Sequence, residues 1–522
     1  MSSMNIVDMK RKIIHYDDKE ERKISLQRSV LTQQIEIKNL DGISEIYQNQ
    51  RDCAKVICEQ FLNRVIIACL VVCMCQGGKT GAMIAFILKF IQMNLIPIEN
   101  IFIISCLSDK EWQSQTTERM PDCLRDRIYH RGKLDNFVDD VKGKKNVLVI
   151  NDEIHIAGKV DQKVDKIYKE CGFRDLNYLL ENDIKIVEFS ATPDGHLNDF
   201  NRWEVHSAII KMETGDGYKG VNDFHKQGRL YESKDLRTID NVINLKEVIY
   251  DRYKEPRYHI VRVPKKGNQD KNIDNLKITF GEECEYIHDY LGNATDLNVV
   301  LEIKPTKHSF IFICEKARCA KTIHKKYIGV LYDRITKNDS VSIQGLAGRM
   351  CGYDDNNDSI CYTNISSIKK YIKFMDNDLS LDGIKWNSAS TKYDKSTETT
   401  ISKGTRNSPE NIDAMDVFDE VNIISSVPVL YQKGTKEYLK SWWKEHFPHR
   451  KQIKGSHNKD NKYLFDKRVV KENEIEANIR DDKLLQYITR QGHAHMDSRY
   501  LVPYYTDEGI LKWILIYKEI AG

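Results

Sequence analysis

The chain has 522 residues, of which 41% are hydrophobic and 30% are charged, and its formal net charge is +3. These values are those of an ordinary globular protein with roughly two to four domains, and they exclude an intrinsically disordered or fibrous chain. A net charge this close to zero also excludes a chain that is basic throughout, so any nucleic-acid site has to be a local patch.

Neither secretion nor membrane insertion is expected from this sequence. Residues 1–40 are polar and mixed in charge, unlike a signal peptide. The longest apolar stretch, Val65 to Cys75, is too short to span a bilayer and ends in a glycine turn. The 13 cysteines include no C-x-x-C pair, which is typical of reduced thiols. We therefore expect an intracellular protein of the cytoplasm or nucleus that makes no membrane contact.

The first residue with a candidate chemical role follows an N-terminal extension, which is predicted over residues 1–45. Gln50 lies in the polar run from Tyr47 to Arg51, ahead of a stretch with helical composition. A glutamine amide can pair both a donor and an acceptor with the edge of an adenine ring. An ordinary polar helix start is the alternative, and the two interpretations stay open at this point.

An apolar strand, a glycine-rich turn and a helix then follow one another directly. The run from Val65 to Cys75 predicts a strand buried on both faces of a parallel sheet, and residues 82–88 have helical composition. Between them lies the turn Gln76, Gly77, Gly78, Lys79, Thr80 and Gly81. Its glycines let backbone N–H groups approach phosphate oxygens, which the N-terminal end of the helix also favours. Lys79 could reach the β- and γ-phosphates of ATP, and the Thr80 hydroxyl could join a Mg²⁺ shell.

Two adjacent carboxylates end a later strand. This strand is predicted over residues 146–151, and Asp152 and Glu153 follow it at the start of the sequence DEIH. Ionised carboxylates at the edge of an apolar sheet are costly, and a magnesium ion would offset that cost. We expect Asp152 to hold Mg²⁺ and Glu153 to orient and deprotonate an attacking water molecule.

Two hydroxyl side chains, Ser190 and Thr192, follow the next strand, which is predicted over residues 184–189. Because the carboxyl ends of parallel strands meet at one edge of a sheet, these hydroxyls should lie close to Asp152 and His155. We expect Ser190, Thr192 and His155 to couple the phosphate state to the rest of the protein. The alternative is a loop with a capping hydroxyl.

Strand-like and helix-like stretches alternate again over about 256–375, which predicts a second α/β unit. Its most informative segment runs from Gln344 to Arg349, at the start of a predicted helix. An arginine beyond a glycine can reach across an interdomain cleft to a γ-phosphate, and such an arginine increases the rate by roughly 10³–10⁵. We therefore assign candidate catalytic roles to Gln344 and Arg349, with an arginine on a helix surface as the alternative.

The C-terminal part divides into a linker and a last unit. Residues 376–412 are rich in Ser, Thr, Asn, Asp and Lys, so we predict a linker or mobile loop over 376–425. Residues 426–522 predict a small accessory domain that ends in a hairpin.

A local basic patch lies within this last unit. Residues 433–471 hold 12 Lys and Arg against four acidic residues, with aromatic residues between them. Basic residues bind phosphates without sequence preference, and aromatic rings can stack on exposed bases. A solvated helix face with one tryptophan in the core is an equally good interpretation. The candidate nucleic-acid residues are Lys440, Trp442, Trp443, Lys444, Arg450 and Lys451.

Taken together, these segments resemble the motifs of the superfamily-two helicases and translocases. The turn Gln76 to Thr80 is similar to motif I of that family, Asp152 to His155 to a DEAH-like motif II, Ser190 to Thr192 to motif III, and Gln344 to Arg349 to motif VI.

The resemblance covers about residues 46–375 and implies an α/β fold with two tandem RecA-like parallel-sheet domains, over 46–203 and 204–375, followed by the smaller C-terminal α+β domain. It also implies that ATP and Mg²⁺ bind between the two domains and that a nucleic-acid strand crosses both. The most similar members act on DNA and come from phages and large DNA viruses. They imply DNA rather than RNA as the partner and, for a viral protein, the host cell or virion as its location.

The sequence departs from the family pattern at several positions. Cys73 stands where a first glycine is usual, Gln76 stands where a glycine is common, and Tyr353 lies near the usual place of a second motif VI arginine. The spacing from Gln344 to Arg349 is also one residue longer than the usual pattern. ATP turnover could therefore be slow, or could depend on nucleic acid to close the cleft.

The first functional hypothesis is an ATP-hydrolysing helicase or translocase. A packaging-type, terminase-like motor ATPase also uses a phosphate loop, a carboxylate pair and a coupling segment, but an arginine such as Arg349 in a second unit argues against it. A third hypothesis is a non-enzymatic nucleic-acid clamp or virion scaffold with a degenerate ATPase. The presence of Lys79, Thr80, Asp152 and Glu153 weighs against that hypothesis.

Overall fold

The computed structural model describes most of the two α/β units and part of the C-terminal unit. The described residues are 18–40, 45–63, 65–92, 96–105, 116–153, 162–193, 196–197, 200, 203–264, 269–290, 297–314, 322–354, 358–388, 391–402, 423–425, 429–446, 470–471, 499–506, 508 and 510–518. Three of the predicted site residues, His155, Arg450 and Lys451, lie outside this part of the chain.

The α-helices in chain order are α1 (Asp18–Leu40), α2 (Gln48–Leu62), α3 (Lys79–Gln92), α4 (Asp122–Arg125), α5 (Leu134–Val141), α6 (Lys163–Glu170), α7 (Leu176–Glu181), α8 (Val221–Lys226), α9 (Ile239–Arg252), α10 (Gln269–Phe280), α11 (Leu297–Glu302), α12 (Asp339–Ser342), α13 (Gly348–Met350), α14 (Ile365–Asp376) and α15 (Lys436–His446). Within the described part of the chain, no helix has the length and apolar character that a bilayer span requires.

The strands in chain order are β1 (Ala68–Cys73), β2 (Ile101–Ser105), β3 (Ile128–His130), β4 (Val147–Asp152), β5 (Ile184–Ser190), β6 (Ser207–Met212), β7 (Leu230–Glu232), β8 (Tyr258–Arg262), β9 (Glu285–Tyr290), β10 (Ser309–Cys314), β11 (Ile328–Tyr332), β12 (Ile360–Thr363), β13 (Thr391–Asp394), β14 (Thr399–Ser402), β15 (Ile423–Ser425), β16 (Val429–Gly434), β17 (Val470–Lys471), β18 (Arg499–Tyr505) and β19 (Leu511–Lys518).

The first sheet contains the strands that end in the predicted site residues. Its order is β15-β6-β1-β5-β4-β2-β3, and every pairing in it is parallel. β1, β4 and β5 are buried along their whole length, as central strands of a parallel sheet are, although β5 includes Lys185 and Glu188. Val72 is paired with Ser190, and Asp152 with Phe189, so the carboxyl ends of these neighbouring strands lie together.

The second sheet has the order β7-β12-β11-β8-β10-β9 and is also parallel throughout. In the C-terminal unit, β16, β19 and β18 pair antiparallel, β17 is added in parallel, and helix α15 covers the sheet. Leu439 and Trp443 of that helix pack with Leu515 in a small core. The predicted architecture, two parallel α/β sheets followed by a small α+β unit, is confirmed.

The structure places some segments differently from the sequence prediction. β6 begins at Ser207, beyond the boundary predicted at residue 203, and pairs with β1 in the first sheet. Within the predicted linker 376–425, β13 and β14 form a hairpin and β15 pairs with β6. Trp386 beside the hairpin is 2% exposed and lies 6.0 Å from the ring of Phe374. The linker prediction is therefore wrong for the hairpin, because the β-branched threonines there favour strand pairing.

Two histidines are in contact at the second sheet: His259 of β8 is fully buried, and His308, just before β10, is partly buried. The backbone N–H of Val330 donates to His259 Nδ1 at 3.2 Å, so His259 carries its proton on Nε2, which lies 3.0 Å from His308 Nδ1. Burial, together with His308 and Arg257, lowers the pKa of His259 well below its usual value. Burial also lowers the pKa of His308, and Arg257 acts in the same direction. Both rings are therefore neutral in the folded protein near pH 7.

Acidification should destabilise the second unit through this pair. Both folded-state pKa values lie below the unfolded value of about 6.5, so unfolding takes up protons and the free energy of unfolding falls as the pH drops below about 6.5. Above that pH the stabilising effect is fully present. We expect a fall in melting temperature between pH 7 and pH 5, measured by differential scanning calorimetry.

His308→Gln removes one of the two titrating rings and should flatten this pH dependence. The matched control is His225→Gln, on the surface helix α8, which should melt with the wild-type pH dependence. Equal slopes for the wild type and His308→Gln would show that the pair does not set the acid sensitivity.

Candidate active site

The glycine-rich turn joins β1 to α3 as predicted, and its backbone conformation depends on glycine. Helix α3 begins at Lys79, and the turn before it is closed by a hydrogen bond of 3.0 Å from the Gly77 N–H to the Met74 carbonyl. Gly78 has a φ of +101°, a left-handed conformation that a side chain rarely adopts. A Cβ on Gly78 or Gly81 would also run into the side chain of Gln50. The loop therefore presents backbone rather than side chains to a ligand.

Gly78→Ala should weaken nucleotide binding. The substitution adds backbone strain and a contact with Gln50, and strain of this kind costs about 1–3 kcal/mol. That corresponds to roughly 10- to 100-fold in the Kd of a fluorescent ATP analogue. Gly281→Ala is the matched control, since Gly281 also has a positive φ (+64°) but no neighbour within 4 Å of an added Cβ. Unchanged Kd in Gly78→Ala would refute the assigned loop conformation.

Gln50 lies directly on this loop, close to the start of helix α2. The Tyr47 backbone N–H donates to its Oε1 at 2.9 Å, and its Nε2 donates to the Gly78 carbonyl at 3.2 Å. The side chain is 5% exposed. Gln50 therefore lies at the candidate site, and its amide links the start of helix α2 to the glycine-rich loop.

The carboxylate pair lies where the sequence predicted it, at the end of β4. Asp152 and Glu153 are 5% and 1% exposed, and Glu153 has a φ of +54°, which is uncommon for a residue other than glycine. Strained backbone of this kind is concentrated at functional sites. Lys79 of the loop forms an ion pair with Glu153.

This ion pair keeps Lys79 charged although it is buried. Burial alone lowers a lysine pKa, but Glu153, Cys73 and Asp152 outweigh it, so the pKa of Lys79 rises above its usual value. The site therefore contains a charged pair before any ligand binds, in which the Lys79 ammonium group lies against the carboxylate of Glu153, the candidate general base.

The segment from Ser190 to Thr192, for which the sequence predicted a coupling role, contacts the second α/β unit. Ser190 Oγ accepts a hydrogen bond of 3.1 Å from the Thr192 N–H. Across the cleft, Gln344 Nε2 donates to Thr192 Oγ1 at 2.5 Å, and the Tyr371 hydroxyl donates to the Ala191 carbonyl at 3.2 Å. The structure thus brings Thr192 and Gln344, predicted from separate segments, into direct contact.

The segment that carries Arg349 is kinked. Helix α12 continues into a helical segment over Ile343–Ala347, where Gly345 departs from helical geometry with a ψ of −143°, and α13 follows. Gln344 and Arg349 therefore lie on opposite sides of this kink.

A buried carboxylate holds the kinked turn in place. The Leu346 N–H donates to Asp333 Oδ2 at 2.8 Å, and Arg262 Nε donates to Asp333 Oδ1 at 2.8 Å. A Cβ on Gly345 would overlap the Asp333 carboxylate, so this position also requires glycine. Arg349 follows the turn and is 2% exposed.

These segments enclose a cavity of about 290 Å³ between the two units. Its walls include the predicted residues Gln50, Gly77, Gly78, Lys79, Thr80, Gly81, Asp152, Glu153, Gln344 and Arg349. The volume is at the lower end of the range for small-molecule sites, about 300–1,000 Å³. Ala191 lines the cavity, whereas its neighbours Ser190 and Thr192 are not part of the wall.

Sequence reasoning missed several wall residues because no motif marks them. They are Glu45, Tyr47, Thr116, Arg119, Thr322, Lys325, Tyr353 and Asp354. The cavity wall contains four basic residues, Lys79, Arg119, Lys325 and Arg349, and four acidic residues, Glu45, Asp152, Glu153 and Asp354. Burial lowers the pKa of Arg119. The charges on the wall therefore balance before any ligand enters.

The oxygen donors of the wall fit Mg²⁺ when it is bound together with phosphates. In the described part of the chain, no group of three or more His, Cys, Asp and Glu could hold a metal ion. Thr80 and Asp152 supply a hydroxyl and a carboxylate to the same cavity. Mg²⁺ prefers such hard oxygen ligands and usually completes its octahedral shell with phosphate oxygens and water.

The predicted nucleic-acid residues of the C-terminal unit separate into two groups. Trp443 is fully buried in the core of that unit, so it is not available to stack on a base, and this part of the prediction is wrong. Lys440, Trp442 and Lys444 remain partly or fully exposed on α15, with the Trp442 ring stacked on His446. The hydrophobic pattern of the helix, with Leu439 and Trp443 four residues apart, is the signal that marks the buried side.

Comparison with known proteins finds no matching family model. An uncharacterized protein of Acanthamoeba polyphaga mimivirus is 26% identical over 380 residues, which are 66% of this chain and 92% of that protein.

Among solved structures, S. cerevisiae Dbp5 bound to RNA and ADP BeF3 is 15% identical; the match covers 66% of this chain and 90% of the Dbp5 chain, with a TM-score of 0.40. The DEAD-box helicase Mss116 bound to ssRNA and UDP-BeF is 13% identical; the match covers 63% of this chain and 72% of the Mss116 chain, with a TM-score of 0.42. Escherichia coli DEAH/RHA helicase HrpB is 16% identical; the match covers 60% of this chain and 43% of the HrpB chain, with a TM-score of 0.39. Likeness of this degree assigns neither an activity nor a ligand.

Proposed function

We propose that this protein is an ATP-dependent motor that acts on nucleic acid, a helicase or translocase that hydrolyses ATP between its two parallel-sheet units. One observation carries this proposal. Lys79, the Asp152–Glu153 pair and Arg349 come from three distant segments and line a single cavity. They are the parts that phosphoryl transfer needs, namely a cation for the phosphates, oxygen ligands for a metal, a candidate base and a cation for the transition state.

Nucleotide binding begins with an exchange of partners at Lys79. In the structure its ammonium group is paired with Glu153. Phosphate oxygens would take over Lys79, which leaves the Glu153 carboxylate to accept a proton from the attacking water. Mg²⁺, held by Asp152 and Thr80 together with the phosphates, would neutralise charge on the transferring group. Arg349 approaches from the opposite unit and stabilises the charge that develops on the γ-phosphate.

Hydrolysis is linked to motion through the contact between Gln344 and Thr192. These residues belong to different units and form a hydrogen bond of 2.5 Å across the cleft. Because Thr192 follows β5 and Asp152 ends the neighbouring β4, a change at the phosphates can alter this contact. A nucleic-acid strand bound to both units would respond to, and promote, the same closure.

The proposed partner is a nucleic acid, and only the sequence resemblance favours DNA over RNA. The protein is also proposed to be viral. Two lysines of α15, the partly exposed Lys440 and the exposed Lys444, offer an additional phosphate-binding surface.

The decisive experiment measures ATP hydrolysis alone and with single-stranded and double-stranded DNA and RNA. Turnover that increases with a nucleic acid supports the motor, and the most effective nucleic acid identifies the substrate class. Stimulation by RNA alone would overturn the choice of DNA. Tight nucleic-acid binding with no turnover under any condition would instead indicate a clamp. Strand separation needs a separate unwinding assay, since translocation does not require it.

A further inference from the structure

Lys325 is a buried cation in the wall of the cavity that Arg349 also lines, on a segment outside all the recognised motifs. The side chain of Lys325 is 2% exposed, and its ammonium group donates to the Cys351 carbonyl at 2.7 Å and to Asp354 Oδ2 at 2.6 Å. Residues 322–326 form an irregular segment that leads into β11. No motif in the sequence marks this segment.

This segment reaches the start of the phosphate loop. The Thr322 hydroxyl donates to Gln76 Oε1 at 3.1 Å. Gly352 has a φ of +127°, and a Cβ added there would lie 3.0 Å from Lys325 Nζ and 3.5 Å from Gln76 Cβ. The ammonium group therefore lies between the loop that follows Arg349 and the beginning of the phosphate loop, where terminal phosphates would be held.

Tyr353 occupies a position where an arginine would add a second positive charge to the cavity. In the family that the sequence resembles, motif VI usually has a second arginine near this position. The Tyr353 hydroxyl instead accepts a hydrogen bond of 2.9 Å from the Gly215 N–H, and its ring is stacked on Tyr47 with 6.4 Å between centroids. A tyrosine contributes no positive charge to the cavity, whereas Lys325 does.

The present partner of Lys325 can be exchanged. Burial of an ammonium group is costly unless an anion compensates for it. Asp354 supplies that anion, but its side chain is 55% exposed, so it returns to water at little cost when another anion takes its place. The γ-phosphate of a bound nucleotide is such an anion.

We propose that Lys325 binds the γ-phosphate of ATP together with Arg349, exchanging Asp354 for phosphate oxygens, and so supplies the second cation that motif VI lacks in this chain. The proposal rests on the proposed ATPase function and adds a residue that distinguishes ATP from ADP.

The test measures the Kd of a non-hydrolysable ATP analogue and of ADP, each with Mg²⁺, for Lys325→Met. A hydrogen bond to a charged group is worth enough to weaken binding of the ATP analogue by roughly 10- to 100-fold. The Kd of ADP should change by less than about twofold, because ADP lacks the γ-phosphate. Lys325→Arg, which keeps the charge, should retain most of the preference for the ATP analogue. Lys326→Met is the matched control, since Lys326 is the exposed neighbour, and it should bind both nucleotides as the wild type does.

A purely structural role for Lys325 predicts a different pattern. If Lys325 only anchored the loop from Cys351 to Asp354, Asp354→Asn would weaken both nucleotides, as would Lys325→Met. A phosphate-binding role predicts that Asp354→Asn preserves or increases the preference for the ATP analogue. If Lys325→Met does not fold, as judged by circular dichroism, Lys325→Arg and Asp354→Asn still decide between the roles.

Failure of this proposal differs from failure of the proposed function. If the wild type prefers the ATP analogue over ADP and folded Lys325→Met shows the same preference, the role of Lys325 is overturned but the proposed ATPase function is not. A wild type that binds neither nucleotide would overturn both.

Discussion

Glu153→Gln should lower the rate of ATP hydrolysis by about 10²–10⁴-fold while the protein still binds ATP. Glutamine keeps the shape of the side chain but cannot accept a proton from water. It also removes the carboxylate that is paired with Lys79, so the lysine is more available to the phosphates. Single-turnover hydrolysis and nucleotide Kd, measured on the same preparation, separate the two effects.

The control for this variant is Glu170→Gln, at the exposed end of helix α6, which should hydrolyse ATP at the wild-type rate. If Glu153→Gln keeps more than about a tenth of the wild-type turnover, a general base at Glu153 is ruled out, since general-base catalysis contributes at least about 10²-fold.

Arg349→Ala should reduce the rate of hydrolysis by roughly 10³–10⁵-fold, the contribution measured for arginines that stabilise the transition state of phosphoryl transfer. Arg349 is 2% exposed and lines the same cavity as the glycine-rich loop, so a cation from solution does not efficiently take the place of its guanidinium group. Arg349→Lys should recover only a part of the rate, because lysine lacks the planar, bidentate guanidinium group. The measurement is kcat with saturating nucleic acid.

Two comparisons make the Arg349 result specific. Arg237→Ala removes an exposed arginine of the same unit and should leave kcat unchanged. Arg349→Ala should also melt close to the wild-type temperature. A variant that is folded and binds ATP, but hydrolyses it at the wild-type rate, would show that Arg349 does not act on the transferring phosphate.

The sequence predicted the first sheet and its site well because local signals were strong. The continuous apolar runs in β1 and β4 indicate buried parallel strands, and parallel strands bring their carboxyl ends together. Lys79 and Asp152 could therefore be placed in one site although they are far apart in the sequence. Gln344 and Arg349 were recognised through a resemblance, and the structure places them on opposite sides of the kink at Gly345.

Other parts could not be predicted because their positions depend on tertiary contacts. Lys325 lies in an irregular segment, and only the fold brings it to the phosphate loop. Trp442 and Trp443 are adjacent aromatic residues in a basic region, and composition does not decide which of them is buried; only the four-residue spacing of Leu439 and Trp443 indicates it. β15 has three residues, Ile423–Ser425, in a polar region, and its pairing with β6 depends on an available sheet edge.

The pairing of β15 also ties the end of the second unit back to the first. β15 follows the second sheet in the sequence but adds to the edge of the first sheet, with Ile423 opposite Ile209 and Ser425 opposite Lys211. The first sheet is therefore completed by a strand from beyond the second sheet, so the two units are not independent consecutive segments of the chain.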